Sequence, residues 1–589
     1  MNNTYYNGPS LPISQEIDRL KYRQEDEDFN DKVLRLSSSM ADDKEHEMEL
    51  KDILGGMRFL CAGRVQNAMG SLRITTAFNC FVSGTIEDSM DSIMEKASEA
   101  AETMRRGGGI GYDFSSLRPR GSLINSLQST SSGVVPFMGI YDAICQTISS
   151  SGHRRGAQMG VLRVDHPDIY EFIRAKRNSD RLTGFNVSVG ITDAFMAALE
   201  LEDDSFDLVF EGKKYNTISA RDLWDEIMSS TWDWAEPGVL FIDRINEMNN
   251  LWYCEDIAAT NPCGEQPLPP YGACLLGSFN LTQYLYKVNT GDDYYSFNFT
   301  QFKKDIPHVV RAIDNVIDRT IYPLKQQEDE AKNKRRMGLG ITGLANAGEL
   351  LGYPYGSEGF LGWTEKVLSC LRDNSYRASA RLAKEKGSFP LYHEDYLKSN
   401  FIRTLPASVK KEIRQYGIRN SHLTSIAPTG TISLVADNVS SGIEPVFSHS
   451  YIRTIQTPTG PREEKVEDYA YARGTTGRTA NELSVHEHLE VLALASHYVD
   501  SAVSKTCNVG DDVDYESFKN VYTQAWSEGC KGVTTFRAAG KRYGILKAVE
   551  EETESESQTE GLTKKSGEET EEGATACYID LTTGQKECS

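Results

Sequence analysis

"NPCGEQPLPPYGAC", residues 261–274, sets two cysteines, a glutamate and an asparagine in a segment too rich in proline to be helical. Only Gly264 separates Cys263 from Glu265, so in an extended or turning chain both face one small site. Asn261 lies just upstream, and Pro262 restricts the backbone between them, which helps to pre-organise the group. Cys274 opens the apolar "CLLGSFNL", which reads as a strand. Zinc is the obvious competitor for two cysteines. Tetrahedral sites use close CxxC pairs or Cys/His sets, however, and neither occurs here or in the C-terminal tail, so no metal site is expected.

Outward from this loop, over residues 66 to 547, short β-rich runs such as "FNCFVSG", "GFNVSVGI", "LTSIAPTG" and "GVTTFRA" alternate with segments of helical period such as "DSMDSIMEKASEAAETMRRG". This alternation predicts an α/β core with helices covering a sheet or barrel. Residues 1–65 are charged with apolar positions at helical spacing, an accessory helical region. Residues 548–589 begin with an acidic stretch that has almost no large apolar side chain and cannot repay its ordering entropy, so a disordered tether is expected. That tether ends in Cys577 and Cys588, two thiols on a flexible arm.

At 589 residues, with 39% hydrophobic and 25% charged residues, the chain is an ordinary globular one. The formal charge of −22 argues against broad nucleic-acid binding, so an anionic ligand must meet local cations or backbone N–H groups. No apolar run reaches the roughly 20 residues that span a bilayer, and the N-terminus lacks the regions of a secretory signal; a cytoplasmic, non-membrane protein is expected. The eleven scattered cysteines fit a reducing compartment. In "APTGTISL", Thr429, Gly430, Thr431 and Ser433 follow an apolar strand and precede a helix-compatible segment: either an anion-binding turn or an ordinary Pro-Thr-Gly turn. The glycines of "GGGIGYDF", residues 107–114, serve close packing or a tight turn, since no nucleotide-loop context surrounds them.

The blocks "TAFNCFVSG", "GFNVSVGITDAF", "NPCGEQPLPPYGACLLGSFNL", "KNKRRMGLGITGLA", "SIAPTGTISLVAD" and "KGVTTFR" occur in the order found in ribonucleotide reductase catalytic subunits, and the chain resembles that family from about residue 66 to 546. The resemblance implies a ten-stranded α/β barrel of two antiparallel five-stranded halves, with Cys263 on a central finger loop. It implies that Cys263 becomes the thiyl radical that removes the 3′ hydrogen, that Glu265 takes the 3′-OH proton and that Asn261 hydrogen-bonds the sugar hydroxyl region and positions the carboxylate. Cys80 and Cys274 match the dithiol that reduces the 2′ position and closes to a disulfide, and Cys577 and Cys588 match a tail pair that re-reduces it and passes electrons from thioredoxin or a glutaredoxin-like donor. The Thr429–Ser433 turn matches the substrate phosphate loop. Asp88, Arg118, Arg154 and Arg155 resemble parts of a site that reads a deoxynucleoside triphosphate effector near a homodimer interface.

The family's branches differ in radical source. "RAAGKRYG" at 537–544 is only a partial echo of a glycyl-radical segment, and Thr535-Phe536-Arg537 stands where a metal-subunit branch would carry two tyrosines. Adenosylcobalamin is therefore the expected cofactor. The alternatives are a catalytic subunit fed by a metallo-radical partner, or a nucleotide-binding regulatory pseudoenzyme, which has no need of so complete a thiol set. A thiol-exchange protein would leave Glu265 and the phosphate turn unexplained.

Overall fold

The computed structural model describes residues 5–537 apart from 125–126, 151–153, 156, 178–180, 290–292, 458–459 and 511, together with 577–579 and 586–588. The acidic stretch of the tail, 548–576, lies outside the described residues.

Three helices lead the chain: α1 (Pro12–Lys21), α2 (Phe29–Met40) and α3 (Lys44–Gly55). Proline opens α1, where its missing N–H costs nothing. Asp28 and Asp31 form a reciprocal cap at the start of α2, which buries Phe29, Val33, Leu36 and Met40 at helical spacing. A short strand, β1 (Phe59–Cys61), and the short helix α4 (Gly63–Ala68) follow.

The architecture is mixed α/β around one ten-stranded sheet. Its further strands are β2 (Cys80–Val82), β3 (Gly109–Asp113), β4 (Gln158–Arg163), β5 (Phe185–Ile191), β6 (Gly238–Phe241), β7 (Ala273–Asn280), β8 (Met337–Thr342), β9 (Thr506–Val509) and β10 (Gly532–Arg537). From β2 to β6 each strand pairs parallel with the next. The connecting helices return the chain to the starting edge each time, as parallel strands require. β7 lies antiparallel to β2 and parallel to β8, and β10 lies antiparallel to β6 and parallel to β9. β1 continues along the same edge of β7 as β2, with Phe59 opposite Phe279.

Between β8 and β9 the pairing thins to single bridges: Leu339 to Thr424, and Ile426 to Val503, both parallel. Residues 422–426 nevertheless have backbone hydrogen bonds on both sides, from Met337 N to His422 O (3.0 Å) and from Ser504 N to Ile426 O (2.8 Å). The strands are buried on both faces, as β7, β8 and most of β4 and β5 show, which explains their near-continuous apolar sequences.

One apolar core runs through the sheet and its helices. A second, smaller core joins the N-terminal region to α5 (Gly430–Val435): Ile13, Ile17 and Tyr22 pack with Ile432 and Val435. Polar bonds fix the same contact, since Ser14 Oγ donates to Leu434 O at 2.6 Å and Asp437 accepts from the N–H groups of Ser10 and Leu11. The N-terminal region is thus anchored to the segment that carries "APTGTIS". Among the described residues no helix is long and apolar enough to cross a membrane.

Candidate active site

The loop read first in the sequence is a short hairpin, Ala259 opposite Leu268 and Thr260 opposite Pro267. Asn261 closes its tip: its N–H donates to Gln266 O (3.1 Å) and its Oδ1 accepts from Gln266 N (2.9 Å). Gly264 donates its N–H to Asn261 O at 3.1 Å and takes φ +82°, the left-handed region where other residues are strained. Gln266 is therefore part of the group. It acts here through its backbone, which no residue type in the sequence signals.

Both runs of strands hold this tip. On one side Asn186 Nδ2 on β5 donates to Pro262 O at 3.0 Å, and Thr260 presses on β3 so closely that a Cβ on Gly111 would stand 1.8 Å from its carbonyl oxygen. On the other side Glu265 O accepts from Ala502 N (2.9 Å) and Ser425 Oγ (3.0 Å), and a Cβ on Gly338 of β8 would meet Gln266 Nε2 at 2.5 Å. Gly111 of the "GGGIGYDF" run is therefore a close-packing glycine.

Cys80 opens β2 next to the tip. Asn261 Nδ2 lies 3.1 Å from Cys80 Sγ, and Cys80 Sγ lies 3.8 Å from Glu265 Oε1. Cys274 is the register partner of Cys80 across the antiparallel β2–β7 pair. Directly opposed residues there have Cα atoms about 4.5–5.5 Å apart, within the range a disulfide can bridge. Neither is in a disulfide. Burial raises the Cys274 thiol well above its ordinary pKa, with Arg336 working against the shift, so it stands protonated. Cys263 is disulfide-bonded.

A cavity of about 200 Å³ opens beside these groups, lined by Cys80, Asn261, Cys263 and Glu265 and by Ala427, Pro428, Thr429 and Thr431 from the second expected motif. Thr429 takes φ +58° at the start of α5. Its Oγ1 accepts from Gly442 N (2.7 Å) and shares a 2.9 Å hydrogen bond with Thr342, which holds this conformation. Gly430 begins α5, and Ser433 turns inward, donating to Gly430 O at 3.1 Å and meeting Ser441 Oγ at 3.0 Å. Of the four residues expected at this turn, Thr429 and Thr431 line the cavity. The cavity also takes in Tyr22, Arg64 and Arg73, which the sequence reading passed over because each lies in a segment with no motif.

Of the other expected residues, Cys588 lies on a strand, Lys586–Cys588, that packs against α5. Arg118 Nε bonds Asp88 Oδ2 at 2.6 Å, a pair with both partners part-exposed. Arg154 and Arg155 form one arm of a two-residue ladder opposite Ser150 and Ser149. Cys577 and Cys588 are register partners in a small antiparallel pair, Cys577–Ile579 with Lys586–Cys588. Thr535 and Phe536 sit on β10. The hydroxyl of Tyr522, from the helix Tyr515–Ser527, meets Thr535 Oγ1 at 2.7 Å. No cluster of potential metal ligands occurs among the described residues.

Comparison with known proteins agrees with this geometry. Residues 78–536 match the family model described as "Ribonucleotide reductase, barrel domain". The chain is similar to the vitamin B12-dependent ribonucleoside-diphosphate reductases of Thermoplasma acidophilum (36% identity; 80% of this chain, 63% of that protein) and Mycobacterium tuberculosis CDC 1551 / Oshkosh (36%; 80% and 69%). It is more distantly similar to the ribonucleoside-diphosphate reductase large subunit of vaccinia virus (26%; 64% and 53%). The chain therefore spans about half to two thirds of the length of these relatives. With the family model covering most of its length, the chain belongs to the ribonucleotide reductase barrel-domain family.

Proposed function

We propose that the chain reduces ribonucleotides to 2′-deoxyribonucleotides for DNA synthesis, by radical chemistry at Cys263. The observation that carries this reading is the meeting of Cys80, Asn261, Cys263 and Glu265 around one cavity with Thr429 and Thr431, while Cys274 lies in register with Cys80. A pseudoenzyme has no use for that convergence.

Once the dithiol donor has reduced its disulfide, with the donor's own sulfurs oxidised, Cys263 would give its S–H hydrogen atom to the radical source and, as a thiyl, take the hydrogen from the 3′ carbon. Glu265 removes the 3′-OH proton, held near Cys80 and Asn261. The 2′-OH leaves as water, taking a proton from the dithiol. Cys80 and Cys274 supply two electrons and close to a disulfide, and the hydrogen returns from Cys263 to the 3′ carbon. The balance is ribonucleotide plus dithiol giving deoxyribonucleotide, disulfide and water. Cys577 and Cys588 then reduce the new disulfide by exchange and are themselves reduced by thioredoxin or a glutaredoxin-like protein. Thr429 and Thr431, which line the cavity, bind the substrate's phosphates, a diphosphate by analogy with the relatives' names. Asp88, Arg118, Arg154 and Arg155 read a deoxynucleoside triphosphate effector in a homodimer.

For the radical source we infer adenosylcobalamin, which when bound supplies one-electron chemistry through a weak cobalt–carbon bond. The cavity wall fits an organic group: Gly109, Ala157 and Pro262 line it near Cys263 and are small or apolar. The absence of a tyrosine pair at Thr535-Phe536 removes the side chains through which a partner subunit would deliver the radical. We also read the sheet as a closed ten-stranded barrel of two antiparallel five-stranded halves, residues 422–426 completing the second half and the 261–265 tip forming its finger loop. The hydrogen bonds on both sides of 422–426 support this. The corresponding division is 1–65, 66–547 and 548–589, in a cytoplasmic protein.

The test is the purified chain with a ribonucleoside diphosphate, a dithiol and adenosylcobalamin and no second protein. Deoxynucleotide formation is the expected outcome. Product only after a metal-containing subunit is added would overturn the cobalamin assignment, and no product under either condition would overturn the reductase reading.

A further inference from the structure

Arg64 is an anomaly among the basic residues. Its exposure is 9%, and among the described residues it has neither an ion-pair nor a hydrogen-bond partner, only an electrostatic influence from Tyr22. The buried arginines elsewhere are paired: Arg335 with Asp314 and Asp318, and Arg336 with Glu255 and Glu330. An uncompensated buried cation costs several kcal/mol, on the order of a large fraction of a domain's stability. Burial brings the Arg64 guanidinium down only to about 10, so it stays charged at neutral pH.

The position is built rather than accidental. Arg64 lies on α4, and its guanidinium rests against Gly107, which takes φ +98°; a Cβ there would stand 2.5 Å from an Arg64 terminal nitrogen. The side chain is therefore held by shape rather than by a carboxylate, which leaves its donors available. It lines the same cavity as Thr429 and Thr431. Among the described residues the cations around that cavity are Lys21, Arg64 and Arg73, and the one carboxylate is Glu265, in a chain whose formal charge is −22. Such a local reversal of sign marks an anion site, and a guanidinium's planar fork matches phosphate oxygens two at a time.

We propose that Arg64 is a substrate-anion ligand, donating to the terminal phosphate of the ribonucleotide bound at the Thr429–Thr431 turn. The assignment rests on the reductase reading for the identity of the anion, but the site itself does not depend on turnover. It gives the α4 segment a role in recognition: the chain supplies one fixed positive charge at the point where the substrate is most negative.

The experiment compares full-length wild type and Arg64→Gln in equilibrium binding of inorganic pyrophosphate, a ribonucleoside diphosphate and the bare ribonucleoside. Arg64→Gln is expected to weaken pyrophosphate and diphosphate roughly ten- to a hundredfold while leaving the nucleoside unchanged, and to raise KM more than it lowers kcat. Equal loss for all three ligands would indicate a structural role, and pyrophosphate affinity within about twofold of wild type would remove the anion role; either overturns the proposal. If Arg64→Gln does not fold, Arg64→Lys keeps the charge without the fork, and undiminished pyrophosphate affinity there overturns the assignment of the guanidinium. Arg64-dependent pyrophosphate binding in a wild type that makes no deoxynucleotide would refute the reductase reading and leave the anion site standing.

Discussion

The two walls of the cavity are built on opposite principles. The Cys263 wall is a hairpin tip fixed by backbone hydrogen bonds and by contacts that only glycine permits, at Gly111 and Gly338. The Thr429 wall is made of hydroxyls, a short helix and cationic side chains reached through the N-terminal region. On the proposed mechanism, hydrogen-atom transfer and proton removal depend on placement to a fraction of an ångström, which backbone held this tightly would provide. Anion binding tolerates movement, because charge attraction falls slowly with distance and long side chains adjust.

The contrast can be broken most completely at the sulfur. Cys263→Ala is expected to abolish deoxynucleotide formation while nucleotide binding, measured by equilibrium dialysis, persists. Residual steady-state turnover would show that the radical resides elsewhere. Next in size is Gly111→Ala, whose methyl would overlap Thr260 O. Denaturant unfolding should show a loss of about 2 kcal/mol or more, and activity should fall by at least roughly tenfold. An unchanged variant would mean that the tip has slack.

On the tolerant wall, Thr431→Val should raise KM for the ribonucleotide by roughly three- to tenfold with kcat nearly kept, the signature of lost uniform binding. A fall in kcat alone would place Thr431 with the reacting groups. The smallest effect concerns the support of that wall. Asn346 bonds both Ser440, which neighbours Thr429 through Thr342, and Asp468, and beside them Glu349 is buried. Burial, with Asp468 adding to it, raises Glu349 from 4.5 to about 8. The folded state then holds a proton that the unfolded state has lost, so this contribution is fully present below pH 4.5 and disappears as pH rises to about 8. Glu349→Gln should flatten that part of the stability–pH curve by on the order of a few kcal/mol. An identical slope in the variant would assign it to other groups.

Much of this was legible before any coordinates. The α/β alternation, the helical N-terminal region and the grouping of Asn261, Cys263 and Glu265 follow from spacing and proline content, because the interactions that decide them span only a few residues. The segment 422–426 shows where such reading stops: "LTSIAPTG" has strand character, yet it pairs through single bridges, because its ladder is set by β8 and residues 502–504, far off in sequence. The Thr429–Ser433 motif was also read as one unit, whereas the fold points Thr431 to the cavity and turns Ser433 inward.

The chain alone fixed which reactive groups exist and which family they resemble, since side-chain chemistry and order along the backbone need no third dimension. Tertiary structure decided that Cys80 faces Cys274, that Glu265 reaches Cys80, and that Arg64 is enclosed without a counter-charge among the described residues. Register and burial arise from contacts between segments tens to hundreds of residues apart, and no local pattern encodes which of those contacts is made.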